Sequence, residues 1–381
     1  MRRQNLALVL ATVAARSPLS RADVAGHTGL TRAAVSSLAD ELIGAGLLVE
    51  GESAPHGRVG RPGRALTLDP NGAAGLGLEI GITRLGACVV DLSGEVRLLE
   101  TVPVDNRDRS PAEVFADLAA LATAAARSAG DLGLRPAGTV MAVPGVLGPA
   151  SGTIEHAPNL GWHGVALADH WPTGTPRPEI ENEANLGGLA ELWAGTDDET
   201  LVHVSAEAGI GAAIVIDGRL FRGARGYAGE LGHVPVHPDG PLCPCGARGC
   251  LEQFAGVRAV LRDAGLRPGG RDPVTALTEA ARAHDRRTLT ALERAGAALG
   301  IALTSAVDLL DPSALVLGGA YGELADWLLP AMRSELAARV TVRPWDPLAL
   351  RASSLGRRGP LLGAAELTVR RILRDPAGLW A

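Results

Sequence analysis

Lysine is absent from the chain, and all 36 of its cationic side chains are arginine. Alanine and glycine are abundant as well, so the absence reads as compositional bias. Long hydrophobic runs are missing too. No stretch approaches the ~20 apolar residues of a membrane-spanning helix, so no membrane partner is expected. The apolar segment after Met1-Arg2-Arg3 is short and periodic and lacks a small-residue cleavage site, so it does not read as a secretory leader. A cytoplasmic location is therefore expected. Cysteine is scarce: Cys88 stands alone in an expected strand, and Cys243, Cys245 and Cys250 fall within eight residues. In a reducing compartment such a cluster favours a metal over a disulfide. What remains is an ordinary globular composition, 46% hydrophobic and 20% charged, in 381 residues that allow two or three cored domains.

The charge is uneven. Residues 1–64 carry eight arginines against five acids, a net of +3, which leaves −9 for the rest. A basic head on an acidic body fits nucleic-acid binding confined to the head. Within that head, Leu6, Val9, Leu10 and Val13 share one helical face over residues 4–15. Ser20, with Asp23 three residues on, has the form of a capping box for a second helix that ends at Thr28-Gly29. Thr31 caps a third helix running to about Ala45, with Val35, Leu38 and Leu42 on its inner face. Gly46 stops it, and Leu47–Glu50 reads as a wing strand. Two short helices joined by a glycine turn, a third helix and a hairpin make a winged helix–turn–helix.

The outer face of the third helix carries Arg32, Ala33, Ser36, Ser37 and Asp40. Small polar residues there let a helix approach base edges. Arg32 reaches guanine or phosphate, and Ser36 and Ser37 donate to phosphate or base. The expected partner is a double-stranded DNA operator. Downstream, Gly60-Arg61-Pro62-Gly63-Arg64 keeps the strand narrow and extended, so Arg58, Arg61 and Arg64 are candidates for minor-groove or phosphate contact. The domain boundaries expected are 1–64 for the head, 65–73 for a linker and 74–381 for the body.

The body opens with glycine-rich apolar alternation over Ala74–Val90, a turn at Asp91–Gly94 and a strand over Glu95–Val104. A helix at Pro111–Ser128 and a strand at Ala137–Val143 follow. Strands recur at Leu201–Ser205 and Gly211–Ile216, and long helices fill about 254–306 and 323–338. Strands then helices, twice, predict two α/β lobes with a cleft between them. In the second lobe His233 precedes Cys243-Pro244-Cys245-Gly246-Ala247-Arg248-Gly249-Cys250 by ten residues. Three thiolates and one imidazole make a closed tetrahedral set suited to structural zinc, and Gly246 and Gly249 permit the tight turns it needs. On spacing alone His237 competes with His233 for the fourth position. His156, His163 and His203 read as ordinary surface or core residues.

Gly229-Glu230-Leu231-Gly232-His233, followed by Cys-x-Cys-Gly-x-x-Gly-Cys-Leu-Glu, resembles the signature of the ROK family (repressors, open reading frames and kinases). Gly218–Ala224, Glu181-Asn182-Glu183-Ala184-Asn185, Asp311-Pro312 with Leu315–Gly319, and Gly363-Ala364-Ala365 resemble further family segments. The resemblance covers the whole body, and the head matches the family's repressor branch. It implies an α/β protein with an N-terminal winged helix–turn–helix and a two-lobed, actin-like, sugar-kinase-like domain. It further implies a sugar or sugar-phosphate effector held by Asn159, Asn182, Glu183, Glu230, His233 and Glu252, carboxylates accepting from vicinal hydroxyls. His233, Cys243, Cys245 and Cys250 would hold structural Zn2+, with His233 offering its second nitrogen to the sugar. A homodimer or dimer of dimers is implied as well.

Three departures from the family's kinases point away from catalysis, so no catalytic residue and no ATP are expected. The first phosphate loop reads Glu79-Ile80-Gly81-Ile82-Thr83, with a branched Ile82 where a glycine lets backbone approach phosphate. Glu183 stands where the catalytic aspartate belongs, displacing the carboxylate by over ~1 Å. The second loop reads Glu207-Ala208-Gly209-Ile210-Gly211, and Glu207 repels a triphosphate. The reading is a switch: sugar bound between the lobes selects one closure and so the spacing of two DNA-reading heads. A sugar kinase with a DNA-binding appendage is the alternative.

Overall fold

In the computed structural model all residues are described except 54–63, 149–151, 196–197, 208, 270 and 381, together with the side chains of 52, 53 and 380. The head begins with α1 (Arg2–Arg16), whose Leu6, Val9, Leu10 and Val13 are buried. After β1 (Leu19–Ser20), α2 (Arg21–Thr28) starts on a full capping box: the Ser20 hydroxyl accepts from Asp23 N, and Ser20 N donates back to the Asp23 carboxylate. Gly29 ends it in the left-handed conformation at φ 73°. Thr31 caps α3 (Arg32–Gly44). The wing strands β2 (Leu48–Ser53) and β3 (Arg64–Leu68) pair antiparallel, and β1 adds to the far edge of β3.

The first four residues of the expected linker at 65–73 belong to the wing strand and its last to β4 (Ala73–Ile80). Only about four residues separate β3 from β4, and they are tied down. Ala73 N donates to Gly46 O, and Arg135 donates to Ala45 O at 3.0 Å. A Cβ on Gly72 would lie 1.8 Å from Gly46 O, so backbone meets backbone there. The head shares one apolar core with the body, in which Leu6, Leu10 and Leu42 join Val90, Leu361, Val369 and Ile372.

The apolar stretch at 74–90 is two strands, not one. β4 turns at Gly81–Thr83 into β5 (Arg84–Asp91), then β6 (Val96–Pro103). Asn106 holds that turn by donating to Gly81 O at 2.7 Å. After α4 (Pro111–Asp131), β7 (Arg135–Val143) runs parallel to β4. A small sheet, β8 (Val146–Leu147), β9 (Thr153–Ala157) and β10 (Trp162–Ala166), is followed by α5 (Leu167–His170), β11 (Glu179–Asn182) and α6 (Glu183–Trp193). In the second lobe come β12 (Leu201–Ala206), β13 (Ile210–Ile216) and β14 (Arg219–Phe221). The helical stretch expected at 254–306 is four helices: α7 (Glu252–Ala255), α8 (Val257–Ala264), α9 (Pro273–Arg282) and α10 (Arg286–Leu310). Gly265 at φ 71° stops α8, and the aspartates Asp272 and Asp285 start the next two. The chain continues through β15 (Ala314–Gly319), α11 (Ala320–Glu323), α12 (Ala325–Arg339), β16 (Leu350–Ala352) and α13 (Gly359–Arg374).

The two large sheets repeat one plan. The orders are β11-β7-β4-β5-β6 and β14-β13-β12-β15-β16. Each is a three-stranded antiparallel meander with two further strands added in parallel on the side of its first strand. Two helices lie between the sheets. α13 packs so closely on β4 that a Cβ on Gly75 would sit 2.0 Å from Ala365 O. α6 packs on β12 and β13, and Gly363 brings α13 against α6, its absent Cβ 2.1 Å from Leu186 O. The cavity between the lobes opens beside the start of α6, next to the ends of β11 and β13. Cys88 is buried in β5, and burial pushes its thiol up to about 12, so it is chemically silent.

Candidate functional site

The cysteine cluster is shaped by its backbone. A narrow turn closes through Cys243 N to Ala247 O, and Gly249 N to Pro241 O, both 2.8–2.9 Å. Gly246 and Gly249 take positive φ, and a Cβ on Gly249 would meet His237 O at 1.7 Å. The outcome is that one ligand atom from each of His233, Cys243, Cys245 and Cys250 lies within 4.8 Å of the others. Cys245 Sγ and Cys250 Sγ are 3.7 Å apart, and His233 Nδ1 is 3.8 Å from Cys243 Sγ. Sulfurs at ~2.3 Å from a tetrahedral ion stand ~3.8 Å from one another, so the donor set fits a metal of that kind. His233 is the histidine that groups with the three cysteines, and His237 lies outside the cluster, its ring stacked near Phe254 at 6.4 Å. His233 turns Nδ1 to the cluster, so the ring's other nitrogen faces away from it.

The same segment carries the cleft. Glu252, two residues after Cys250, accepts from Ile210 N at 3.3 Å. A Cβ on Gly209 would lie 2.8 Å from Glu252 Oε2 and 3.8 Å from Asn159 Nδ2, so Asn159 of the first lobe faces Glu252 of the second across a glycine. Glu230 shares this environment: burial and the Glu252 charge raise its pKa, while His233 opposes them. An adjoining cavity of about 370 Å³ is lined by Asn182, Glu181, Glu230, Arg222 and Arg225. Asn182 is largely spent on backbone. It caps α6 by accepting from Ala184 N and Asn185 N and donates to Gly145 O at 2.8 Å, which leaves one N–H for a ligand. Arg222 forks onto the Glu181 carboxylate, a contact between the lobes that no local sequence pattern announced. Glu183 sits apart from Glu252, on the side of the two hairpin turns. Burial, with Glu207 and Glu79 beside it, pushes its carboxyl up to about 8.

Those two turns are joined by ion pairs. Arg84 reaches Glu79 at 2.5 Å and Glu207 at 3.7 Å. Arg357, in the turn Gly356–Arg358 ahead of α13, holds Glu207 through two bonds of 2.6 and 3.0 Å and Asp272 at 3.0 Å. Sequence reasoning marked Glu79 and Glu207 but missed both arginines. Of the expected histidines, His203 is a core residue whose pKa burial lowers to about 4. His156 and His163 pair at 3.0 Å across β9 and β10.

On the head, Arg32, Ala33 and Ser37 are exposed along α3, and Ser36 is half-buried. Arg21, at the start of α2, bridges Ser36 O, Asp40 and Glu50, so it braces α3 against the wing. Arg64 is exposed at the start of β3, 3.9 Å from Glu50. Arg58 and Arg61 lie outside the described residues.

A model of the ROK family matches residues 75–371. The chain belongs to that family. A model of the MarR family, winged-helix in form, matches residues 7–59. The xylose repressor of Bacillus subtilis is 29% identical over 98% of this chain and 97% of its own length. A putative xylose repressor of Caldicellulosiruptor shows the same identity and coverage. A glucokinase of Streptomyces coelicolor is 29% identical over 77% of this chain and 96% of its own. Among solved structures, a ROK family transcriptional regulator homologous to the E. coli MLC protein superposes with a TM-score of 0.78 over 98% of this chain and 97% of its own, at 24% identity. A Streptomyces griseus ROK glucokinase, solved with glucose and AMPPNP, gives 0.65 over 77% and 98%, at 28% identity. This ROK protein is a DNA-binding repressor built from a winged-helix head and a sugar-kinase-like body.

Proposed function

We propose that this repressor's grip on its operator is controlled by a sugar or sugar derivative held between the lobes. The observation that supports this most is the convergence of Asn159, Glu230, Glu252 and His233 at one cleft, on a segment fastened by the metal cluster. Carboxylates and an amide facing each other across a glycine suit a ligand that is mostly vicinal hydroxyls. Asn182 borders the adjoining cavity from the first lobe, and Glu183, the next residue, would reach the ligand from the side of the hairpin turns. His233, Cys243, Cys245 and Cys250 would hold Zn2+, which with four protein ligands supplies rigidity and no open coordination position. In the head, Arg32, Ala33, Ser36 and Ser37 read the major groove, and Arg58, Arg61 and Arg64 reach phosphate or minor groove. A homodimer places two heads on two half-sites, and sugar-driven closure changes their spacing. No described helix is long and apolar enough to cross a membrane, and DNA binding puts the protein in the cytoplasm.

Sugar phosphorylation is not part of this reading. Glu207 lies on one expected phosphate loop and is already paired with Arg84 and Arg357, which leaves a carboxylate where phosphate charge would sit. The glucokinase relatives support the second reading, a kinase with an added head. Two measurements separate the readings. A thermal-shift screen of sugars and sugar phosphates, followed by operator binding with each hit, should give stabilisation and a changed DNA affinity. Transfer of phosphate from ATP to any sugar of the panel, by metal-loaded protein, would replace the first reading with the second.

A further inference from the structure

Glu79, Arg84, Glu207, Arg357 and Asp272 form one continuous chain of ion pairs, all of it largely shielded from solvent. Its members come from both lobes. Glu79 and Arg84 flank the β4–β5 turn, Glu207 lies in the β12–β13 turn, and Asp272 caps α9. These are the same hairpin in each of the two repeated sheets. Arg357 ties them to the entrance of α13, where Arg84 also donates to Arg357 O at 3.2 Å. We propose that this chain of ion pairs is an internal clamp that sets lobe closure, so that two arginines and the Glu207 carboxylate hold the hairpin turns together without any bound nucleotide. This deepens, and rests on, the sugar-cleft reading above.

The geometry commits the clamp to its task. Arg357 is bidentate to Glu207, the arrangement that fixes orientation as well as distance. Removing one partner strands a shielded charge, which weakens closure more than losing a surface pair would. Glu181, which Arg222 holds across the lobes, lies two residues before Glu183 at the start of α6, so the cavity and the clamp sit on the same pair of lobes.

The test uses full-length, metal-loaded protein and the variants Arg357→Met, Arg357→Lys, Glu207→Gln and the Arg357→Met/Glu207→Gln double variant. Metal content per chain reports that the fold is intact. Small-angle scattering reports closure, and calorimetry reports affinity for D-xylose and D-glucose as probes. The expected result is a larger radius of gyration and at least a tenfold loss of sugar affinity in Arg357→Met and Glu207→Gln, an intermediate value for Arg357→Lys, and a double variant no worse than either single one. Unchanged dimensions and affinity in both single variants overturn the clamp and leave the sugar reading standing, as do strictly additive losses. If the parent protein binds neither probe nor any other sugar, the sugar reading falls, and the clamp is decided by scattering alone: equal dimensions in all four variants refute it.

Discussion

At the scale of single residues, the metal cluster and Glu183 carry the sharpest expectations. Cys245 and His233 are the exposed members of the cluster, and Cys243 and Cys250 are buried. Cys245→Ser should release the metal and weaken sugar binding together, because the segment from His233 to Glu252 then loses its brace. Metal content by elemental analysis, set beside sugar affinity, checks this, and full affinity in metal-free protein would contradict it. Glu183 makes a pH prediction. Its folded pKa of about 8 lies above the ordinary carboxyl value of 4.5. The native state therefore holds a proton that the unfolded chain releases, and this group's contribution to stability falls as pH rises from about 4.5 to 8. Glu183→Gln should flatten that fall. Urea titrations of both proteins at pH 5 and pH 8 measure it, and parallel slopes would mean that Glu183 ionises freely. Arg32 is the residue-scale test on the head: Arg32→Ala should cost about 1–3 kcal/mol of operator affinity and leave sugar affinity alone.

At the scale of elements, close helix–sheet contact is the vulnerable feature. Any side chain on Gly75 meets the backbone of α13, so Gly75→Val should cost about 3 kcal/mol or more, read as a lower denaturation midpoint in urea with the metal retained. Elements that signal locally were legible in the sequence. Ser20 with Asp23, Gly29 and Thr31 each act within a few residues, and the head's helices follow from them. The cysteine turn is legible for the same reason, its ligands being packed into a short glycine-marked segment. What the sequence hid is long-range or negative. The turn at Gly81–Thr83 is held by Asn106 from 25 residues away, and alternation alone ran straight through it. The break between α8 and α9, by contrast, was in plain view, in Gly265, Pro268, Gly269, Gly270 and the Asp272-Pro273 start of α9, and the reading of one helical stretch ran past these signals. Arg357 meets Glu207 across 150 residues, and a charge in a turn gives no sign of its partner. Asn182 was marked as a sugar ligand, whereas most of its hydrogen-bonding capacity goes to starting α6.

At the scale of the whole molecule, the junction between head and body is what lets the lobes carry the heads. A free linker at 65–73 would let the heads wander, and sugar binding would then have no purchase on DNA. The wing strand, the Gly46–Gly72 contact and the shared apolar core fix the head to the first lobe instead. Scanning calorimetry should accordingly show the head melting with the first lobe, and Leu10→Ala should lower that shared transition. A separate low-temperature transition belonging to residues 1–68 would contradict this.

Helix α13 touches both machines. Its leading end follows Arg357 and lies against α6, and just past its trailing end Asp375 holds Arg3 of α1. Sixteen residues make a shaft of about 24 Å. A pivot of about 10° at the leading end carries the far end through about 4 Å, comparable with the rise between neighbouring base pairs. Small changes of fit deep in the body thus become displacements on the scale by which a DNA half-site is found or missed.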